Sequence, residues 1–160
     1  PARAEASRLR WGGAWFAERF VEGREFNVGV LSRGGEPYVL PMAEMLFEDW
    51  PADSPRIVGY AAKWDEESRE SRHTVRKFGI ELHESALATA LAGSACDLWR
   101  LFDLAGFARV DYRVDAEGKP QVLEVNPNPC IAPDGGFAVA AAEAGLSYSE
   151  LIECLVLECF

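Results

Sequence analysis

The stretch Gly106-Phe-Ala-Arg109-Val-Asp111-Tyr-Arg-Val-Asp115-Ala-Glu-Gly118-Lys-Pro-Gln-Val-Leu123-Glu124-Val-Asn126 reads as a β-hairpin. Two runs rich in Val, Tyr and Leu flank Asp115-Ala-Glu-Gly118, whose Asp and Gly suit a tight reversal. A hairpin symmetric about that turn sets Asp111 against Glu124 and Arg109 against Asn126. Side chains alternate with period two along a strand, so these four share one face. Val110, Tyr112, Leu123 and Val125 take the other face and supply packing. Two carboxylates directly opposite each other repel by roughly 0.2–1 kcal/mol. A divalent cation removes that cost, and an all-oxygen set suits a hard ion such as Mg²⁺. On spacing alone, an ordinary hairpin with one wet, charged face is the commoner outcome. The following segment shifts the balance toward function. Pro127-Asn-Pro-Cys130-Ile-Ala-Pro-Asp-Gly135-Gly136 is a rigid loop leaving a carboxylate-bearing strand.

Downstream of that loop, residues 136–144 form an Ala-rich helical run stopped by Gly145. Ser147-x-x-Glu150 is a capping box ahead of Leu151 and Ile152, which starts a last helix. Upstream, Leu82, Ala86, Leu87, Ala90, Leu91, Leu98, Leu101 and Phe102 recur mostly at helical spacing over residues 81–104, with Gly93 a point of bending or division. Residues 14–21 and 25–31 read as strands joined by Glu22-Gly-Arg24. Arg33-Gly-Gly-Glu36 is a hairpin signal before a third strand at 37–40, and an extended run follows at 43–47. Residues 48–56 read as loop and 57–60 as a short strand. Residues 65–77, charged and Ser-rich, predict an exposed, mobile loop. The order predicts an α+β architecture: an antiparallel sheet covered by helices on one face, with Asp111 and Glu124 on the face left open.

At 160 residues the chain fits one domain, and 49% hydrophobic residues argue against disorder. Its formal charge of −10, from 26 acidic and 16 basic side chains, disfavours a duplex nucleic-acid binder. An anionic small molecule is not excluded, since a few local cations and a metal can hold phosphates. No apolar run approaches the ~20 residues that span a bilayer, and residues 1–8 lack the apolar core of a signal peptide. The expectation is a cytoplasmic protein without membrane partners. The four cysteines form no Cys-x-x-Cys unit. Cys96, Cys154 and Cys159 read as buried or half-buried thiols, while Cys130 stands in the Pro-rich loop. The first expected strand begins almost at once after Pro1, so the chain reads as part of a longer protein.

With these elements in order, the chain resembles the C-terminal lobe of ATP-grasp ligases, most closely the D-alanine–D-alanine ligase family. The resemblance runs from about Trp15 to Leu155. It rests first on Gly106-x-x-Arg109-Val-Asp111 followed by Leu123-Glu124-Val-Asn126-Pro127. It implies that Asp111, Glu124 and Asn126 hold Mg²⁺ (with Mn²⁺ an alternative) against the phosphates of ATP, and that Arg109 meets the reacting acyl phosphate. The second match is Glu18-Arg-Phe-Val21 followed by Glu22-Gly-Arg-Glu25. By resemblance, Arg19, Phe20 and Val21 offer backbone hydrogen bonds to adenine, Glu18 meets its amino edge, and Glu25 takes the ribose hydroxyls. The third is Tyr60-x-x-Lys63-Trp64, which implies that Lys63 approaches the phosphates. Trp64 stands where the family usually has Tyr, Cys130 where it has Gly, and Gly135 where it has a substrate-binding Ser. The implied function is an ATP-dependent carbon–nitrogen ligase acting on a small amino acid or peptide other than D-alanine. The other lobe, with its further phosphate-binding lysines, would come from the same protein, so this chain is expected to be inactive alone. A homodimer is compatible with the resemblance. The alternative is a nucleotide-binding module without ligase turnover.

Overall fold

Phe26, Val28 and Val30 alternate with Asn27, Gly29 and Leu31 along one ten-residue strand, β1 (Arg24–Arg33), and that strand is the axis of the fold. The computed structural model describes residues 2–51, 54–59 and 67–158. Around β1 stand α1 (Ala2–Trp11), β2 (Glu36–Val39), β3 (Ala43–Phe47), α2 (Arg69–Arg72), β4 (Thr74–Lys77), α3 (Ile80–His83), α4 (Ser85–Leu101), β5 (Phe107–Val114), β6 (Pro120–Asn126), α5 (Gly136–Glu143) and α6 (Tyr148–Leu157). Among the described residues six strands form one sheet in the order β4-β3-β1-β5-β6, with β2 also paired to β1. All pairings are antiparallel; β3 lies along Glu25–Asn27 and β2 along Val30–Arg33.

Period two divides the sheet into two faces. On one, Phe26, Val28 and Val30 of β1 join Ala108, Val110, Tyr112 and Val114 of β5 against Ala88, Leu91, Ala95 and Trp99 of α4. The helical residues recur every three or four positions, which keeps them on one stripe. Leu91 is fully buried there. Leu91→Ala is therefore expected to cost about 2–5 kcal/mol of unfolding free energy, read from denaturant titration. On the second face Leu31 and Leu40 pack with Phe137, Ala138, Ala140 and Ala141 of α5 and with Leu151 and Leu155 of α6. The rest of that face carries Glu25, Asn27, Arg109, Asp111 and Arg113. The α+β architecture thus stands as expected, with the refinement that α5 and α6 cap one end of the polar face. No helix among the described residues is long and apolar enough to cross a membrane.

Several local expectations give way. Residues 14–21 are not a strand: they run outside any helix or strand, and residues 14–20 are exposed. Gly23 then passes so close to the end of β5 that a Cβ there would stand 2.0 Å from the Val114 carbonyl oxygen. Residues 57–59 form no strand, and Tyr60 lies outside the described residues. The described part of the expected mobile loop holds α2 and β4. Ser68 caps α2 by accepting from Ser71 N at 3.0 Å, and β4 pairs with β3 as an edge strand. Charge suits an edge strand as well as it suits a loop. The long helix divides at Glu84, not at Gly93. Glu84 leaves helical geometry with φ −135°, ψ 59°, and its carboxylate takes Arg24 Nη1 at 2.8 Å. Gly93 costs the helix about 1 kcal/mol relative to Ala, too little to break a segment anchored by Leu91, Ala95 and Trp99. Helix α1 was not anticipated; its Glu5–Arg8 pair at i, i+3 is the signal.

Candidate functional site

The hairpin register sets Asp111 against Glu124 and Arg109 against Asn126. Beyond that row it shifts: Tyr112 faces Val122, and Leu123 is the extra residue of a bulge. Leu123 consequently does not join the packing face and is half exposed, while Val125 packs into the core as expected. The bulge leaves the four polar residues on a common side.

Asp111 occupies the middle of a polar row, with Asn27 of β1 on one side and Glu124 of β6 on the other. It is 5% exposed. Arg109 donates to it twice, Nε to Oδ1 at 2.6 Å and Nη2 to Oδ2 at 2.8 Å, and Asn27 Nδ2 donates to Oδ1 at 2.9 Å. Burial works against the charge of Arg109. The hydrogen bonds and field of Asp111, with the field of Glu124, outweigh it and hold the guanidinium pKa above its ordinary value. Glu124 is exposed on the same face. Asn126 Oδ1 accepts from Asn128 N at 2.9 Å, which turns the chain into the Pro-rich loop.

This donor set fits a hard cation of the Mg²⁺ type. Among the described residues no three His, Cys, Asp or Glu side chains cluster into a complete metal centre. Two carboxylates and an amide oxygen are an incomplete shell, and Mg²⁺ is commonly held by one or two carboxylates plus phosphate oxygens of a substrate. Both oxygens of Asp111 are engaged by Arg109, so a cation arriving there competes with the guanidinium.

Along the same strand, two residues from Asp111, lies Arg113, which no motif in the sequence singles out. It faces Glu25 across β1 and β5, and both are buried. Its Nη1 donates to Glu25 Oε2 at 3.2 Å and to the Arg56 carbonyl at 2.6 Å, while Nε donates to the Val21 carbonyl at 2.9 Å. Burial pushes the Glu25 carboxyl above its ordinary range; the Arg113 charge and hydrogen bond and the Val58 N–H oppose that shift without cancelling it. Glu18, Arg19 and Phe20 are exposed and Val21 is half-buried, all in the irregular segment ahead of β1. Lys63 and Trp64 lie outside the described residues. Two further residues escaped the sequence reading. Asn27 was legible as the one amide of β1, set between the apolar Phe26 and Val28. Arg76 of β4 lines the cleft that also holds Asn27, Arg109 and Gly136, and only the sheet order reveals it.

The loop explains Gly135. A Cβ at that position would stand 2.9 Å from the carbonyl oxygens of both Ala132 and Cys130. A serine does not enter this loop without moving its backbone, so the departure from the ligase pattern is built into the loop conformation. Cys130 is exposed in the same loop.

Comparison with known proteins converges on one group. Residues 4–157 match the family described as D-ala D-ala ligase C-terminus. A D-alanine–D-alanine ligase of Bordetella petrii is 30% identical over 142 residues, covering 89% of this chain and 40% of that protein. An uncharacterized protein of Sinorhizobium fredii is 35% identical over 135 residues, covering 84% of this chain and 38% of its own length. The crystal structure of Bacillus anthracis D-alanine–D-alanine ligase complexed with ATP superposes with a TM-score of 0.65 at 21% identity, over 88% of this chain and 38% of that one. The chain thus spans about two fifths of the length of these relatives.

Proposed function

From its membership of the D-alanine–D-alanine ligase C-terminal family, we propose that this chain supplies the nucleotide- and metal-binding half of an ATP-dependent carboxylate–amine ligase. The observation that carries the reading is the register of one hairpin, which gathers Arg109, Asp111, Glu124 and Asn126 on the polar face of the sheet. In the proposed reaction a carboxylate oxygen attacks the γ-phosphorus of ATP and ADP leaves. The amine nitrogen then attacks the acyl carbon, losing a proton, and inorganic phosphate leaves. Phosphoryl transfer needs positioning and charge neutralisation more than covalent help. Bound Mg²⁺ would supply neutralisation of phosphate charge, and Asp111, Glu124 and Asn126 are the residues to hold it. Arg109 stabilises the negative charge of the acyl phosphate and of the tetrahedral adduct. In this reading the family resemblance assigns Lys63 to the phosphates, Glu18, Arg19, Phe20 and Val21 to adenine, and Glu25 to the ribose. The remaining phosphate contacts come from the other lobe of a longer protein.

The Gly135 loop supports a substrate other than D-alanine. A site that pairs a carboxylate with a serine hydroxyl loses that partner here, and a hydrogen bond to a charged group is worth roughly 1.5–3 kcal/mol. That is about one to two powers of ten in affinity. ADP release by the complete protein, assayed with Mg²⁺ across D- and L-amino acids and short peptides, tests both levels of the reading. The expected result is substrate-stimulated ADP release that peaks on a substrate other than D-alanine. A maximum on D-alanine overturns the substrate assignment alone. ATP binding with no stimulation by any amine or carboxylate favours a nucleotide-binding module without turnover.

A further inference from the structure

We propose that Arg113 is a positioning residue for the purine end of the nucleotide, clamping residues 20–21 and Glu25 into one unit; the inference rests on the nucleotide reading above. One guanidinium, on a residue only 3% exposed, reaches three separate parts of the chain. It donates to the Val21 carbonyl, to the Arg56 carbonyl and to the Glu25 carboxylate, and its Cζ lies 4.9 Å from the centroid of the Phe20 ring. A charge buried this far is costly unless it is paired, and here each partner is a distinct structural segment.

Among the described residues, the segment that Arg113 holds has few other ties to the sheet. Residues 14–22 belong to no helix or strand. Among the described residues, the side-chain hydrogen bond that ties them to the sheet is the one from Arg113 to Val21. Gly23 lets the chain pass directly over Val114, the neighbour of Arg113 on β5. The backbone offered to adenine and the carboxylate offered to ribose therefore share Arg113 as a common partner, with the Val58 N–H a second donor to Glu25. Fixing such groups before binding lowers the ordering cost that a ligand must overcome.

The position of Arg113 makes the effect local. Arg109, Asp111 and Arg113 alternate along β5 and share its polar face, so one strand carries the acyl-phosphate cation, the metal carboxylate and the clamp in sequence. Loss of the clamp should weaken the purine end and spare the phosphate end. A merely structural role for the ion pair weakens both together.

The test measures dissociation constants for ATP and for inorganic tripolyphosphate, each with Mg²⁺, in the complete protein and in Arg113→Lys and Arg113→Met. Lysine keeps a charge for Glu25 but cannot reach Val21, Arg56 and Glu25 together, as the guanidinium fork does. Arg113→Lys is expected to bind ATP about 10-fold more weakly and tripolyphosphate within about 2-fold of the parent, on the scale of one lost charge-assisted clamp. Arg113→Met is expected to show a larger loss for ATP with the same sparing of tripolyphosphate. If Arg113→Met fails to fold, Arg113→Lys decides alone. Unchanged ATP affinity in Arg113→Lys, or parallel losses for ATP and tripolyphosphate, overturns the clamp. Failure of the unaltered protein to bind ATP overturns the nucleotide reading, and the clamp with it.

Discussion

Glu124→Gln lowers ADP release by the complete protein at least about 100-fold, the scale of removing one group that stabilises transition-state charge. The change keeps the side-chain shape and removes one of the two carboxylates proposed for the metal. Glu124 is exposed, so its replacement leaves unfolding free energy within about 0.5 kcal/mol of the parent. Asp111→Asn is expected to lose as much turnover, but it also leaves the half-buried Arg109 without its carboxylate, and breaking a buried pair costs stability. Glu124→Gln is thus the cleaner experiment, with the rate and a denaturant curve measured on the same preparation. A folded Glu124→Gln protein that hydrolyses ATP within a few-fold of the parent removes the metal reading.

Arg109→Met separates the two roles that one guanidinium combines. Turnover is expected to fall about 10²–10³-fold, because the cation proposed for the acyl phosphate is gone. Divalent-cation binding without nucleotide is expected to move the other way. Arg109 occupies both Asp111 oxygens, at 2.6 and 2.8 Å, and a cation must displace it. With methionine there, Asp111 and Glu124 face each other with their repulsion unrelieved, which favours a cation between them. Mn²⁺ affinity, read by paramagnetic titration, should rise about 10-fold, equivalent to about 1.4 kcal/mol. Weaker Mn²⁺ binding in Arg109→Met shows that Asp111 is not the ligand.

What was legible in advance follows from how locally each feature is determined. The hairpin pairing of Arg109, Asp111, Glu124 and Asn126 depends on one turn and on strict alternation, so a reading of 21 consecutive residues reaches it. The bulge at Leu123 escaped because an inserted residue changes no residue type; it depends on how β6 fits β5 past the site. The capping box of α6 was equally local, with Ser147 Oγ accepting from Glu150 N at 3.3 Å and Glu150 reaching back to Ser147 N at 2.7 Å. Glu84, by contrast, where the long helix divides, has its ion-pair partner 60 residues away in Arg24, which no window around residue 84 contains.

Local periodicity and turn chemistry determined the α+β class, the hairpin and the face on which the four polar residues meet, while the matched motifs carried the family resemblance. Tertiary structure alone decided three things. It brought Asn27 beside Asp111, because β1 lies next to β5 in the sheet although 84 residues separate the two. It left residues 14–21 without a strand partner among the described residues despite their β-forming composition, since an isolated run gains nothing from propensity until a neighbour accepts its hydrogen bonds. And it turned Arg113, on sequence one more charge in a strand, into the buried link between Val21, Glu25 and Arg56. Burial sets the strength of such links, and burial belongs to the assembled sheet and not to any segment of it.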